Sequence, residues 1–577
     1  MVHSARRWCT VEADTAAAQA LADDAGLPPA VATILVSRGI TDPERAGRFL
    51  KPRLSDMSDP FLLSGMSEAV ERIVAALLAD ERIVVFGDYD ADGITGTALV
   101  VSVLRAMGAD PAWFLPDRMV DGYGLTVGAL KRCMDLHDPA LVVTVDCGTS
   151  SGDAVAAARE RGVDVVVTDH HEAAGPAADA IAVVNPVLGA NEEAAHLAGV
   201  GVAFKLCHAL IKRALTELPD RARGIDLREW LHLVAIGTVA DVVPIVGENR
   251  TLVRHGLARL NRGEGGAGMA ALRKITGIKK TVNCYHIGFV IGPRLNAPGR
   301  LGKPDASLEL LLTNNARRAG ELADLLESTN RERRRLEDAV RLEAEGELET
   351  RFDPRRDFGI VVGREGWHAG TIGIVASRLS SRYCRPAVVI AFDESGMGKG
   401  SCRSIDEIDL VAALEKCSKD LVSYGGHKMA AGLVISRDRL EPFAERFNAV
   451  CAEDLAGRDL RRVQSIDAWI SLAEADRRLL AALDVLRPFG VGNPTPVLGT
   501  RKVTAVGPPR KVGRDHLKML LARGGNQFDA IGFGMAGRQV PEGPMDVVFH
   551  LEEDTYKGRG ALQLNLRDFA SHGTYND

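Results

Sequence analysis

The chain has 577 residues, of which 46% are hydrophobic and 26% are charged, and its formal net charge is −6. One hydrophobic core rarely serves more than about 250–300 residues, so this length excludes a single domain and predicts three or four. The net charge gives no overall basic character, and any contact with a nucleic acid would therefore have to come from local patches.

The cysteines and the apolar runs indicate the compartment. Nine cysteines are scattered without a C-x-x-C pair, which fits neither a disulfide framework nor a zinc site and favours a reducing compartment. No segment offers the roughly eighteen uncharged apolar residues of a membrane span, and Glu12 and Asp14 precede the first apolar run. We therefore expect a soluble cytoplasmic protein that does not contact membranes.

The first 275 residues predict a helical lead-in followed by an α/β domain. Residues 1–60 form the lead-in, in which Asp42 can cap a helix that Pro43 opens. From 61 to 275, alanine-rich helical stretches alternate with four short apolar runs, RIVVFGD, AWFLPD, ALVVTVDCG and VDVVVTDHH. Continuous apolar strands that alternate with helices are typical of a parallel sheet covered on both faces.

The remaining sequence predicts three further regions. The first, 276–354, contains a proline-free stretch at 316–350 with leucines at helical spacing. One continuous helix there would be about 50 Å long and could bridge two domains, and two shorter helices folded back on each other are the alternative. Strands and helices alternate again in a second α/β domain, 355–460, and short runs between glycine-rich turns predict a small β-barrel or sandwich at 461–577.

Acidic side chains collect where the predicted strands end. In VVFGDYDADGITGT, residues 84–97, Asp88, Asp90 and Asp92 follow a buried apolar run. Like charges so close together repel one another, so a cation is expected to offset them. Because the carboxyl ends of parallel strands form the ligand crevice of an open sheet, other groups in the same position should join them. Three further runs, interpreted as strands, end in such groups, namely Asp146, Asp169, His170, His171 and Asp241.

This combination of side chains predicts a site for divalent cations. Carboxylates and imidazoles without a suitably spaced thiolate suit Mn²⁺ or Mg²⁺. Five or six ligands exceed what one ion usually takes from a protein, so two ions that share an aspartate are expected. The alternative for any single aspartate is a helix cap or a turn residue, but four such strand ends are hard to explain in that way. Which of Asp88, Asp90 and Asp92 bind directly is left open.

The motifs resemble those of a known family. In order and spacing, DYDADG, VDCG, TDHH and ADVVP are similar to the motifs of the DHH phosphoesterases. Many members carry a histidine four residues before the first aspartate of a D-x-D pair, where this chain has Phe86. Four later segments resemble the additional motifs of the single-strand-specific 5′→3′ DNA exonucleases of that family, and the resemblance extends from about residue 50 to 570. The four segments are GPRLNAPGRLG (292–302), GWHAGTIGIVASRL (366–379), GSCRS (400–404) and YGGHKMAAGL (424–433).

The resemblance implies phosphodiester hydrolysis with two Mn²⁺ or Mg²⁺ ions and release of 5′-mononucleotides. Asp146 would bridge the ions, His171 would face the scissile phosphate, and Asp169 would orient an imidazole. The predicted metal ligands are Asp88, Asp90, Asp92, Asp146, His170 and Asp241.

The resemblance also implies a substrate path. Ser401 and Arg403 would bind the 5′ phosphate, and a cleft between the two α/β domains would admit one strand and exclude a duplex. Tyr123 would stack on a base, although a plain surface loop is the alternative for this segment. The other predicted substrate contacts are Arg118, Arg294, Asn296, Arg300, His368 and His427. A barrel of the OB type would hold the strand through basic residues, namely Arg501, Lys502, Arg510, Lys511, Arg514 and Lys518.

Two other functions remain as alternatives. A DHH hydrolase could act on dinucleotides, short oligonucleotides or pyrophosphate, but the added region at 461–577 argues against it. A scaffold that has lost the chemistry would have lost metal-binding carboxylates, which this chain retains. We expect a monomer that acts on single-stranded DNA with a 5′ end in mismatch repair and recombination, with a single-strand-binding protein and a helicase as further partners.

Overall fold

The structure is a computed structural model, and it describes residues 6–575 except 118, 119, 123, 174, 190, 192, 303 and 555–559. The chain divides into two compact units. Residues 6–292, 308–320 and 463–575 make up the larger unit, and residues 293–307 and 321–462 make up the smaller one.

The N-terminal segment is helical, and as predicted Asp42 caps a helix by accepting a hydrogen bond from the Arg45 amide at 2.8 Å. Its apolar residues, such as Ile34 and Leu35, share one core with the C-terminal strands. The elements of this segment are β1 (Arg7–Thr10), α1 (Thr15–Ala25), α2 (Pro29–Ser37) and α3 (Pro43–Leu50).

The next segment forms the predicted α/β domain around a five-stranded parallel sheet. Its strands are β2 (Ile83–Gly87), β3 (Ala112–Phe114), β4 (Leu141–Val145), β5 (Asp164–Thr168) and β6 (Ala182–Val184), in the spatial order β3-β2-β4-β5-β6. The helices before and between them are α4 (Met66–Leu78), α5 (Ala91–Ala106), α6 (Val127–His137) and α7 (Gly152–Glu160). Those after the sheet are α8 (Gly199–Glu217), α9 (Pro219–Ala222), α10 (Leu231–Ala240), α11 (Gly247–Arg262) and α12 (Gly266–Thr276).

Both faces of this sheet are buried, which explains its continuous apolar strands. Successive side chains of a strand point to opposite faces. Val85 and Val143 pack in the core that contains α4, α5 and α8. Val84 and Val142 pack in a separate core with α6 and α7.

One predicted strand is wrong. The run LVAIGTVA before Asp241 is part of helix α10, whose residues from Leu231 to Thr238 are all buried. A short apolar run without polar positions has no period that separates a buried strand from a buried helix, and packing on both sides decides it here. Asp241 therefore follows a helix rather than a strand.

A long helical region follows. It contains α13 (Cys284–His286), a π-helical turn (Ile287–Ile291), α14 (Gly292–Arg300), α15 (Asp305–Leu312) and α16 (Ala316–Arg351). The 36 residues of α16 form one continuous helix, as predicted, rather than two that fold back. At 1.5 Å per residue, this helix is about 54 Å long.

The smaller unit contains the second predicted α/β domain. Its elements are β7 (Ile360–Glu365), α17 (Ile372–Tyr383), β8 (Ala387–Phe392), β9 (Met397–Arg403), α18 (Leu410–Lys416), β10 (Ser423–His427), β11 (Ala430–Ser436) and α19 (Leu440–Leu455). The five strands form one sheet in the order β10-β11-β9-β8-β7, in which the β7–β8 pair is parallel and the other pairs are antiparallel.

The C-terminal segment forms the predicted β-barrel. Its elements are β12 (Val463–Ile466), β13 (Ala468–Trp469), α20 (Arg477–Val485), β14 (Leu498–Ala505), β15 (Arg510–Val512), β16 (His516–Arg523), β17 (Asn526–Gly532), β18 (Met545–Glu553) and β19 (Leu562–Ser571). Strand β14 pairs with both β18 and β16, so the sheet closes on itself. In the described parts of the chain, no helix combines the length and the apolar character needed to cross a lipid bilayer.

Candidate metal centre

The parallel sheet brings acidic side chains to one edge. Strands β2, β4 and β5 are hydrogen-bonded neighbours, and Asp88, Asp146 and Asp169 are the residues that follow them. Asp241, which follows α10, reaches the same place from the helical layer, because its Oδ2 lies 3.6 Å from Nε2 of His170. The predicted convergence therefore occurs, although one of its members comes from a helix.

Three groups of side chains are close enough to hold ions. Within each group, one ligand atom per residue lies within 4.8 Å of the others, and the groups are Asp88–Asp90–Asp146, Asp146–His170–His171 and Asp92–His170–Asp241. Asp146 and His170 each belong to two groups. Nε2 of His170 is 3.1 Å from Oδ1 of Asp146 and 3.8 Å from Oδ2 of Asp92.

At the centre of this cluster, Oδ1 of Asp146 and Nε2 of His170 are buried and make no hydrogen bond, although they lie 3.1 Å apart. Buried polar atoms are almost always paired, so such atoms point to a group that is held there. The electrostatics agree. Burial, followed by the charges of Asp92 and Asp90, raises the pKa of Asp146 well above its usual value. Burial and Asp90 raise the pKa of Asp241 to about 7. Divalent cations would remove this repulsion, so the donor set fits them.

Two helices orient Asp90 and Asp92. Asp90 caps α5 and accepts hydrogen bonds from the amides of Asp92 at 2.9 Å and Gly93 at 3.1 Å. Asp92 accepts hydrogen bonds from the amides of Gly199 at 2.6 Å and Val200 at 3.0 Å, at the start of α8. Helix N-termini favour negative charge, so these contacts stabilise both carboxylates and fix their orientation.

The two adjacent histidines have different protonation states. Burial, followed by the charge of His171, lowers the pKa of His170 to about 4, so this ring is neutral at pH 7 and its nitrogen can bind a cation. Burial alone would lower the pKa of His171, but Asp169, whose Oδ1 lies 2.8 Å from Nδ1 of His171, raises it to about 9. His171 therefore carries a positive charge beside the cluster.

Sequence reasoning did not find three residues that support this cluster. Two glycines leave space for its carboxylates, and one asparagine makes hydrogen bonds beside it. A Cβ on Gly199 would lie 2.4 Å from Oδ1 of Asp146, and one on Gly237 would lie 2.6 Å from Oδ1 of Asp92. Asn185, which follows β6, donates hydrogen bonds to Oγ1 of Thr149 and to the carbonyl of His171, both at 2.9 Å. The glycine-rich start of AGVGVAF was the available signal for Gly199.

The smaller unit brings together two predicted substrate contacts on β9. Nη1 of Arg403 donates a hydrogen bond to Oγ of Ser401 at 3.2 Å. Both side chains face the first turn of α17, because a Cβ on Gly373 would lie 3.0 Å from Oγ of Ser401 and 3.4 Å from Nη2 of Arg403. Hydroxyl, guanidinium and helix amides thus converge at one place, which is an arrangement that suits a phosphate.

The other predicted contacts in this unit lie in different settings. Nη1 of Arg300 lies 3.5 Å from the carbonyl of Gly370, whose amide donates a hydrogen bond to Nδ1 of His368 at 3.1 Å. Arg294 is buried and forms an ion pair with Glu327 at 2.6 Å.

The remaining predicted contacts are Asn296, His427, Arg118 and Tyr123. Asn296 is a partly exposed residue of α14, and His427 is exposed at the end of β10. Arg118 and Tyr123 lie outside the described residues.

Family models match three parts of the chain. A model of the DHH family N-terminal domain matches residues 82–238, a DHHA1 domain model matches residues 357–453, and a RecJ OB domain model matches residues 466–568. The fold and the acidic cluster thus define a DHH-family protein with DHHA1 and OB domains.

Individual relatives indicate which family within this class the chain belongs to. The chain is 36% identical to the single-stranded-DNA-specific exonuclease RecJ of Bacillus subtilis, over 99% of this chain and 71% of that protein. The crystal structure of RecJ from Thermus thermophilus in complex with Mn²⁺ has a TM-score of 0.84 and 30% identity, over 99% of this chain and 80% of that one. The corresponding complex with Mg²⁺ has a TM-score of 0.77 and 30% identity, over 98% of this chain and 79% of that one. The chain belongs to the RecJ family.

Proposed function

We propose that this protein is a single-stranded-DNA-specific 5′→3′ exonuclease that hydrolyses phosphodiester bonds and releases 5′-mononucleotides. The observation that carries the proposal is the pair of buried atoms, Oδ1 of Asp146 and Nε2 of His170, which make no hydrogen bond and whose residues each belong to two of the three groups. The names of the relatives support the same substrate, since the B. subtilis protein is named a single-stranded-DNA-specific exonuclease.

The carboxylates and His170 would hold two divalent cations, Mn²⁺ or Mg²⁺. When bound, such ions activate water and neutralise charge on the phosphate and the leaving oxygen. Asp146 belongs to two groups and is our choice for the ligand between the ions. Asp92 and Asp241 would bind on the side of His170, and Asp88 and Asp90 would bind on the other.

Asp169 and His171 would act on the substrate without binding metal. Asp169 keeps Nδ1 of His171 protonated and fixes the orientation of the ring. The charged ring can then donate a hydrogen bond from Nε2 to an oxygen of the scissile phosphate. This contact strengthens as negative charge develops on the phosphate, so it would favour the transition state.

The polarity of the reaction would come from the pocket at Ser401 and Arg403. The hydroxyl, the guanidinium and the amides at the start of α17 would bind a terminal 5′ phosphate. Arg300 and His368, which are neighbours of Gly370, and His427 would contact the following nucleotides. The same role is proposed for Arg294, Asn296, Arg118 and Tyr123.

The barrel would hold the strand. Arg501 and Lys502 belong to β14, Arg510 and Lys511 to β15, and Lys518 to β16. Neighbouring strands therefore carry these basic side chains. Their contacts with successive phosphates would make the affinity for the DNA strand depend on salt concentration. We further propose that the protein acts as a cytoplasmic monomer in mismatch repair and recombination, with a single-strand-binding protein and a helicase as partners.

The test compares the wild type with Asp146→Asn on 5′-labelled and 3′-labelled single strands in Mn²⁺ or Mg²⁺. We expect mononucleotides from the 5′ end only, and a loss of more than about 100-fold in the variant, because even the partners of metal ligands are worth 10–100-fold. Asp153→Asn, at an exposed position in the first turn of α7, is the matched control and should retain full activity.

Two results would contradict the proposal. Mononucleotides released from the 3′ end would overturn the polarity. Turnover of dinucleotides without degradation of long strands would favour a small-substrate hydrolase of the DHH family.

A further inference from the structure

Two large aromatic side chains are exposed in the larger unit. Tyr285 is 63% exposed and Phe289 is 67% exposed, and their ring centroids lie 5.0 Å apart in a stacked arrangement. They stand four residues apart in a continuous run of helical residues and therefore lie on the same face. Contiguous exposed apolar surface, unlike single exposed side chains, can mark a binding site.

The backbone beneath these rings is unusual. Phe289 belongs to the π-helical turn Ile287–Ile291. Such turns are rare and often occur at functional sites. The end of the turn lies close to α10, because a Cβ on Gly292, the residue that follows the turn, would come within 3.2 Å of Cβ of Ala240. The helix that ends at Asp241 therefore supports the helix that presents the aromatic pair.

The rings line a groove with a volume of about 860 Å³. Its lining includes Ala240 and Val242, the two chain neighbours of the proposed metal ligand Asp241, and Val242 is 64% exposed. The lining also includes Phe489 and Val491, which shortly precede the first long strand of the barrel. The groove thus borders the chain segment that carries Asp241 of the metal centre.

The charges of the groove are mainly positive. Arg254 and Arg487 are among the lining residues, and the guanidinium of Arg487 lies 5.0 Å from the ring centroid of Phe489. The acidic lining residue in the described chain is Asp484, which forms an ion pair with Arg487 at 2.7 Å. A groove lined by both aromatic rings and arginines suits a ligand that combines flat rings with negative charges.

We propose that this groove holds the single strand where it extends away from the metal centre, with its bases stacked on Tyr285 and Phe289. This inference rests on the proposed function, because it takes DNA hydrolysis at the adjacent cluster as given. Stacking does not depend on sequence, since every base has a π-face. In a duplex the bases are paired and stacked on one another and do not reach these rings. The aromatic pair would therefore contribute to selection of single strands.

The test uses the full-length protein and two 5′-phosphorylated substrates, a single-stranded 20-mer and a dinucleotide. For Tyr285→Ala/Phe289→Ala, we expect KM for the 20-mer to rise about 10-fold or more, because each stacked base contributes substantially to affinity. We expect kcat for the 20-mer, and both constants for the dinucleotide, to stay within about twofold of the wild type. Tyr285→Phe keeps an aromatic ring and should therefore keep the KM of the wild type. Leu136→Ala changes a 70% exposed residue of α6 and is the control for loss of an exposed apolar side chain.

A third substrate separates bases from phosphates. A 20-mer without bases at its third to eighth nucleotides should bind the wild type as weakly as the double variant binds the normal 20-mer. An unchanged KM of the double variant for the normal 20-mer would overturn the inference, and so would an equal loss of activity on the dinucleotide. If the wild type cleaves neither substrate, the proposed nuclease function fails instead. The groove is then tested by the anisotropy of a labelled 20-mer, which should bind the wild type about 10-fold more tightly than the double variant.

Discussion

Asp146 occupies an unusual backbone conformation. Its φ is 67°, a region that residues other than glycine rarely adopt and that costs about 1–3 kcal/mol. This conformation turns the side chain toward the start of α8, where Gly199 leaves space for it. Both features bear on the position of one carboxylate. Strain of this kind is common at functional sites.

Gly199→Ala tests this arrangement. The new methyl group would lie 2.4 Å from Oδ1 of Asp146, so the carboxylate would have to move. We expect the affinity for Mn²⁺ to fall about 10-fold to 100-fold, as it does when the support of a metal ligand is lost. Titration calorimetry with Mn²⁺ measures this change. Gly128→Ala in α6 is the control, because a Cβ there meets nothing within 4 Å. Equal Mn²⁺ affinity in the Gly199 variant and the wild type would contradict the role of Gly199.

At the scale of elements, α10 is a helix buried on all sides. Its packing on α11 is so close that a Cβ on Gly256 would lie 2.1 Å from the carbonyl of Leu231. His232 is a residue of this helix. Its side chain is buried, with 8% exposed, and its Nδ1 lies 3.0 Å from the carbonyl oxygen of Glu229. Because α10 carries Asp241 at its end, its stability affects the metal centre.

His232 makes the stability of α10 depend on pH. Burial lowers its pKa to about 4, whereas an unfolded histidine has a pKa of about 6.5. Between these values the unfolded state binds a proton that the folded state does not, so stability is present above pH 6.5 and is lost as the pH falls toward 4. From pH 7 to pH 5, the loss due to His232 is about 2 kcal/mol. His232→Gln should remove this loss.

Hydrogen exchange of the backbone amides of residues 231–240 is measured at pH 7 and at pH 5. After correction for intrinsic exchange rates, it gives the free energy of opening of α10 at each pH. The histidine-free helix α19 is an internal control and should respond to pH equally in the wild type and the variant. If wild type and variant lose the same free energy in α10, His232 is not the group that titrates.

At the scale of the whole molecule, the larger unit depends on a buried arginine. Arg250 of α11 is 2% exposed. Its guanidinium donates hydrogen bonds to the carbonyls of Phe49 and Arg487, both at 2.9 Å, and of Pro488 at 3.3 Å, and it lies 3.7 Å from the ring centroid of Phe49. One side chain thus ties the N-terminal helices, the parallel-sheet domain and the segment that leads into the barrel.

Arg250→Met should therefore weaken the larger unit. Three carbonyls lose their donor, and such losses together cost about 2–4 kcal/mol. We expect the midpoint of thermal unfolding to fall by about 4 °C or more, measured by differential scanning calorimetry. Arg262→Met is the control, because Arg262 is an exposed residue of the same helix that pairs with Glu264, and exposed pairs contribute little. Equal midpoints for the wild type and the Arg250 variant would show that the carbonyls find other partners.

Much of this molecule is determined by local sequence. Continuous apolar runs predicted β2, β3, β4 and β5 of the parallel sheet but not the short β6, and leucines at helical spacing predicted the continuous α16. Asp88, Asp146 and Asp169 could be placed at one edge because a strand's end and its direction are local properties, and parallel strands end on the same side of a sheet.

Only the tertiary structure decided the rest. The run before Asp241 became a helix because its burial on every side removed the periodic signal. The N-terminal helices share a core with the barrel, more than 400 residues away in sequence, and no local pattern specifies such a partner. Three further features depend on distances between segments that are remote in sequence, and packing alone sets those distances. They are the membership of Asp146 and His170 in two ligand groups each, the space at Gly199 and the groove beside Tyr285.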